Sequence, residues 1–202
     1  QMHDDIGLNF AASLRSILRQ DPDVLLIGEI RDRETADIAV KFSLTGHLVF
    51  STVHANDAPS TITRLLDLGI APFLLGSSLN LIMAQRLVRT IDENTKEEYT
   101  PTQEELSRVN LSSQDSNSMK FFRGKPTTDN HQTGYKGRTA IHEILEIKND
   151  IRQLIYDGAS QNEIKDLAIK NGMTSLREAG ISKIKTGETS IEEVLRATVE
   201  DN

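Results

Sequence analysis

The sequence predicts an α/β fold in which helices cover a mostly parallel sheet. Three observations carry that prediction. Val24-Leu25-Leu26-Ile27 is a short uninterrupted apolar run bounded by turn formers, and Leu48 to Val53 is a second. Between them lies a helical stretch with its own start and stop signals, so the order is strand, helix, strand.

Taken in order, Phe10, Leu14, Ile17 and Leu18 fall at helical spacing between Asp4 and Asp21, and Asp21-Pro22-Asp23 ends that helix. The Val24–Ile27 run follows and reads as a strand buried on both faces. Asp32 is the cap of a helix from about Arg33 to Leu44, which Thr45-Gly46 terminates. After the second strand, Ala58-Pro59 opens a helix carrying Ile62, Leu65 and Leu66 and stopping at Gly69, and Pro72 opens another through about Leu81.

From Asp92 to Lys120 the chain turns polar, with one short helix marked by the Thr102/Glu105 capping box, and reads as an inserted subdomain with loops. A glycine-containing turn at Gly134 to Arg138 leads into a strand, Thr139 to Leu145. Helices then run from Asp150 to Tyr156 and from boxes at Ser160/Glu163, Ser175/Glu178 and Ser190/Glu193, giving a helical bundle. The divisions are 1–90, 91–137 and 138–202.

Composition narrows the function. With no cysteine among 202 residues there is no disulfide framework, no Cys-ligated metal and no catalytic thiol, which fits a reducing, cytosolic setting. A net charge of -7 disfavours a broad nucleic-acid-binding face. No apolar run approaches the roughly 18 residues of a membrane span. Among the five histidines no His-x3-His or His-Glu-x-x-His spacing occurs, which argues against a protein-ligated zinc. A first residue Gln rather than Met points to a fragment.

Two strings could carry chemistry. Val24 to Asp32 places Glu29 just beyond the carboxyl end of a buried strand, where an acid can hold magnesium through its waters or orient an attacking water; a solvated acid ending a strand is the competing reading. Thr45 to Ala58 delivers Thr52, His54 and Asn56 to the same edge, where open α/β sheets bind ligands. Arg64, Arg86 and Arg89 read as solvated or ion-paired side chains on or beside helices. Lys120, Arg123, Lys125, Lys136 and Arg138 form a basic stretch that could meet phosphate or an acidic partner, or balance a negative surface.

Three strings together, LRQDPDVLLIGEIRDRETADIAV, TGHLVFSTVHANDA and TRLLDLGIAPFLLGSSLN, resemble the secretion ATPase superfamily, in particular the type II secretion and type IV pilus assembly ATPases. AQRLVR, TGYKGRTAIHEIL and the stretch from GASQNEIK to EEVLR extend the resemblance over nearly the whole chain. It implies the C-terminal part of a RecA-like P-loop ATPase core, with an insert and a helical tail. It further implies ATP and Mg2+ as cofactors, Glu29 as the Walker B acid acting on magnesium through water, His54 as a catalytic sensor of the γ-phosphate, and Arg138 against the adenine base. The implied assembly is a homo-oligomer, a hexamer in the full-length protein, cytoplasmic and peripheral at the inner membrane through platform proteins, with no nucleic-acid partner.

Two departures qualify it. The family's P-loop, Gly-x4-Gly-Lys-Ser/Thr, occurs nowhere in the 202 residues, so the isolated fragment is expected to be inactive. Relatives carry two zinc-binding Cys-x-x-Cys pairs in the insert, at positions that here are Asp92, Thr95, Thr127 and Asn130, so no zinc is expected. Presence of the insert favours the assembly and secretion branch over the retraction ATPases. A nucleotide-free docking module of the same machinery is the alternative, and a related nucleic-acid motor is a second one that the acidic balance opposes.

Overall fold

The computed structural model describes residues 16, 17, 20, 22–112 and 119–198, so most of the helix expected before Asp21 and the polar run 113–118 lie outside the described residues. The chain divides into two compact units. One holds the described residues through Ile82 together with Leu145–Asn171, and the other holds Met83–Ile144 with the described residues from Gly172 onward. This grouping differs from the linear division, because it separates the C-terminal helices into two pairs. Sequence order cannot show that a later strand returns to pair with an earlier one.

In the first unit, β1 (Val24–Ile27) and β2 (Leu48–Ser51) form a parallel pair in the register Val24↔Leu48 to Ile27↔Ser51, joined by α1 (Arg33–Leu44). The Asp32 side chain caps α1, accepting from the Thr35 N–H at 2.8 Å and from its hydroxyl at 3.0 Å. Next come α2 (Ala58–Asp67), with Asp57 and Ser60 as a reciprocal capping box, and α3 (Pro72–Ser78). After a passage through the second unit the chain returns as α5 (Asn149–Tyr156) and α6 (Gln161–Lys170), which pack on α3 and α2 respectively.

Leu25, Ile27, Ala36, Ile62, Leu75, Ile151, Ile155 and Ile164 are buried in this unit. The expectation that β1 is buried on both faces is corrected here. Leu25 and Ile27 point into the core, but Val24 and Leu26 are exposed, Leu26 at 76%, and so are Leu48 and Phe50 opposite them. Strand side chains alternate, and among the described residues only one face of the pair is covered.

In the second unit β3 (Leu81–Ile91) pairs with β6 (Tyr135–Glu146). The helix opened by Pro72 therefore stops at Ser78, and a long strand replaces its expected last turn. Arg86 and Arg89, expected on or beside helices, sit on that strand, Arg89 reaching Glu193 of the last helix, and Arg64 lies on α2. The insert is not loops and one helix alone: β4 (Lys96–Tyr99) and β5 (Phe121–Gly124) run antiparallel, flanking α4 (Gln103–Arg108) with its Thr102/Glu105 box. Leu106, Val109 and Phe121 pack against Ile184 of α7 (Leu176–Lys185) and against Ile191 and Val194 of α8 (Ile191–Ala197).

The capping boxes at Ser160/Glu163 and Ser175/Glu178 form as the sequence predicts. The fourth forms only by half. Ser190 accepts from the Glu193 N–H at 3.3 Å, but the Glu193 carboxylate turns away to Arg89 and Arg196 instead of returning to the cap. Two charge-assisted bonds outweigh one bond to a backbone amide.

Close helix packing also fixes Gly180 on α7. A Cβ there would lie 2.5 Å from Cγ1 of Val194, which is fully buried and has nowhere to swing. Gly180→Ala gains about 1 kcal/mol of helix propensity but incurs about 1–3 kcal/mol of overpacking. The expected net result is a loss of about 1 kcal/mol, measurable by urea denaturation.

Candidate functional site

The candidate site is built at the carboxyl ends of β1 and β2, in the first unit. The two strand tips are tied together beyond the last ladder pair: the Ile30 N–H donates to the Thr52 carbonyl at 2.9 Å, and the Thr52 hydroxyl donates to the Gly28 carbonyl at 2.6 Å. These bonds place residue 29 and the segment after residue 51 side by side. Glu29 and His54, separated by 25 positions of sequence, meet there with His54 Nε2 at 2.7 Å from Glu29 Oε1.

Arg31 completes the cluster. Its Nη2 lies 2.6 Å from Glu29 Oε2. The Arg31 guanidinium, followed by His54, holds the Glu29 carboxyl below its ordinary range despite the opposing effect of burial. Arg31 is not among the residues that the sequence singles out, and this contact is missed there. The available signal was its spacing of two from Glu29, which in extended backbone returns a side chain to the same side.

Exposure is uneven across the cluster. The Glu29 side chain is 21% exposed, while Arg31 and His54 are 77% and 90% exposed. Glu29 Oε1 is itself shielded from solvent and, with His54 Nε2 2.7 Å away, makes no well-aligned hydrogen bond. A buried carboxylate oxygen with an open lone pair fits a further donor such as a metal-bound water. Among the described residues no group of three or more His, Cys, Asp or Glu is placed to hold a metal.

The other sequence candidates lie elsewhere. Asn56 is in the loop before α2, and Arg138 is exposed on β6 in the second unit. The basic stretch is largely neutralised within the insert: Lys120 pairs with Glu98 at 2.9 Å, and Arg123 and Lys125 both pair with Glu97 at 2.7 Å. Arg123 and Glu97 are direct cross-strand partners, so this part of the stretch serves sheet pairing. Arg89, taken as solvated or ion-paired, is held by the buried Glu193.

Comparison with known proteins agrees with this architecture. The type IV pilus assembly ATPase PilB of Myxococcus xanthus is 48% identical over 202 residues, covering 100% of this chain and 36% of its own length. The type II secretion system protein E of Xanthomonas campestris pv. campestris is 48% identical over 198 residues, covering 98% of this chain and 35% of its own length. The chain thus spans about a third of the length of these relatives.

Among solved structures, the pilus retraction motor PilT with bound ADP superposes with a TM-score of 0.66 at 26% identity, over 96% of this chain and 44% of that one. The ATPase DotB of Legionella pneumophila shares the fold, with a TM-score of 0.63 at 21% identity over 92% of this chain and 41% of that one. A sequence model of the type II/IV secretion system protein family matches residues 1–196. The chain belongs to the type II/IV secretion system protein family.

Proposed function

We propose that this chain is part of an ATP-hydrolysing hexameric motor that drives type II protein secretion or type IV pilus assembly. The observation that carries the reading is the meeting of Glu29 and His54 at the tip of a parallel strand pair, in a chain 48% identical to a pilus assembly ATPase and to a type II secretion protein. Magnesium, bound with the nucleotide, supplies charge that offsets the phosphates. Glu29 stays ionised at neutral pH because Arg31 and His54 favour its charged form, and it would hold magnesium through a water when the metal is bound.

His54, exposed and next to that carboxylate, donates from Nε2 to a phosphate oxygen when the nucleotide is bound, so that its position reports whether the γ-phosphate is present. A change of His54 and Glu29 on hydrolysis is the local event that turns one subunit against the next. The motor works at the cytoplasmic face of the inner membrane against platform proteins; among the described residues no helix is long and apolar enough to cross a membrane.

The experiment is magnesium-dependent phosphate release from ATP by the full-length protein. His54→Ala lowers it by about tenfold to a hundredfold, the range for losing one hydrogen bond to a charged group. Full-length protein that docks to its platform but releases no phosphate would establish the nucleotide-free docking module instead.

A further inference from the structure

Asp92, Thr95, Thr127 and Asn130 are the positions where the resemblance places zinc-binding cysteines, and the second unit builds something different from them. Asn130 is 1% exposed. Its Nδ2 lies 2.9 Å from the Lys125 carbonyl, 3.2 Å from Asp92 Oδ2 and 3.2 Å from Thr95 Oγ1. Its Oδ1 accepts the Thr127 N–H at 2.8 Å and the Gly134 N–H at 3.1 Å. Both ends of one amide are therefore fully engaged.

These contacts join three separate stretches: the turn between β3 and β4, the segment that follows β5, and the entry to β6. The surroundings are equally close. The Asp92 N–H donates to the Gly134 carbonyl at 3.1 Å, and Asp92 Oδ1 accepts the Asn94 N–H at 3.1 Å. Gly124 and Gly134 cross so tightly that a Cβ on Gly124 would lie 1.8 Å from the Gly134 carbonyl oxygen.

A tetrahedral zinc site needs four nitrogen, sulfur or carboxylate ligands converging on an open centre. Here the set is one carboxylate, two hydroxyls and an amide; Thr127 Oγ1 is buried without a hydrogen-bond partner, but the space among the others is taken by Asn130 Nδ2, shared between the Lys125 carbonyl, Asp92 and Thr95. The residues do not fit the metal. We infer that Asn130 performs the cross-linking itself, as a metal-free pin that holds the insert together and fixes the start of β6. This inference is independent of the ATPase reading.

The test compares the intact protein with variants by metal analysis, thermal unfolding and hydrogen exchange. The protein carries well under one zinc per chain, and EDTA leaves its Tm unchanged. Asn130→Ala lowers Tm by about 5 °C or more, and exchange of the Thr127 and Gly134 amides speeds up at least tenfold. Should that variant fail to fold, Asn130→Asp keeps the volume and both accepting bonds but sets an oxygen against Asp92 and against the Lys125 carbonyl. Adding Asp92→Asn restores a donor facing an acceptor at the first of these and recovers a measurable part of the lost Tm. Stoichiometric zinc, a Tm lowered by EDTA, wild-type exchange in Asn130→Ala, or no recovery in the double variant would each overturn the inference.

Discussion

Glu29→Gln in the full-length protein lowers phosphate release from ATP by about two to three orders of magnitude, the range for losing a positioned acid–base group. Nucleotide affinity changes little. The substitution keeps the shape of the side chain and removes only its charge, so the strand tip and its ties from Ile30 and Thr52 survive. What is lost is the ionised oxygen, shielded from solvent and left without an aligned donor, that the proposed water occupies. Phosphate release near the wild-type rate, with binding intact in a titration, would sink the assignment of Glu29. The paired readout matters, because a variant that also fails to bind nucleotide has lost the site and not the chemistry.

The largest expected effect on stability lies in the other unit, at Glu193. Its side chain is 0% exposed and is clasped by the Arg89 N–H at 2.9 Å, by Arg89 Nη2 at 2.5 Å, and by Arg196 Nε and Nη2 at 2.8 Å each. Burial pushes this carboxyl up, but the bonds from Arg196 and Arg89 outweigh it and bring the pKa down to about 2. Arg89 also stacks on Tyr135, with 4.2 Å from guanidinium carbon to ring centroid, and its Nε is already buried without a partner.

Glu193→Ala leaves that arginine uncompensated. The expected cost is about 2 kcal/mol, below the range for a fully buried pair because Arg89 and Arg196 keep part of their hydration, or a Tm fall of roughly 6 °C. The pH dependence follows from the sign of the shift. A folded pKa of about 2, against an ordinary 4.5, means the contribution is fully present above about pH 4.5 and is lost as pH falls toward 2. Urea denaturation between pH 5 and pH 3 should show this loss in the wild type and a flatter profile in Glu193→Gln. Equal slopes in the two proteins would contradict it.

Much of the fold is written locally. Asp32, Thr102, Ser160 and Ser175 cap the helices they were expected to cap, since a cap depends only on residues three apart. Glu29 and His54 were placed at one sheet edge because parallel strands joined by a helix bring their carboxyl ends together. What stayed hidden depends on partners distant in sequence. β3 follows a helix directly, and its residues Leu81 to Ile91 show their alternation only once β6 lies beside them.

β4, Lys-Glu-Glu-Tyr, has strand propensity only at its Tyr, and its glutamates are answered across the pair by Arg123, Lys125 and Lys120. Glu193 matched a capping box but went to arginines, one of them 104 residues away. In each case tertiary contact outranked a local rule.

The chain's passage between the two units bears on the order in which it can fold. It leaves the first unit after Ile82, returns at Leu145, and leaves again after Asn171. A protein made from its N-terminus usually closes its first domain while the rest is still being synthesised. Here α5 and α6, which pack on α3 and α2, are made only after the whole insert, so the first unit waits with its apolar helix faces open. The insert must wait in turn for α7 and α8. Neither unit can be finished until nearly all of the described chain has been made, and neither can be isolated by a single cut.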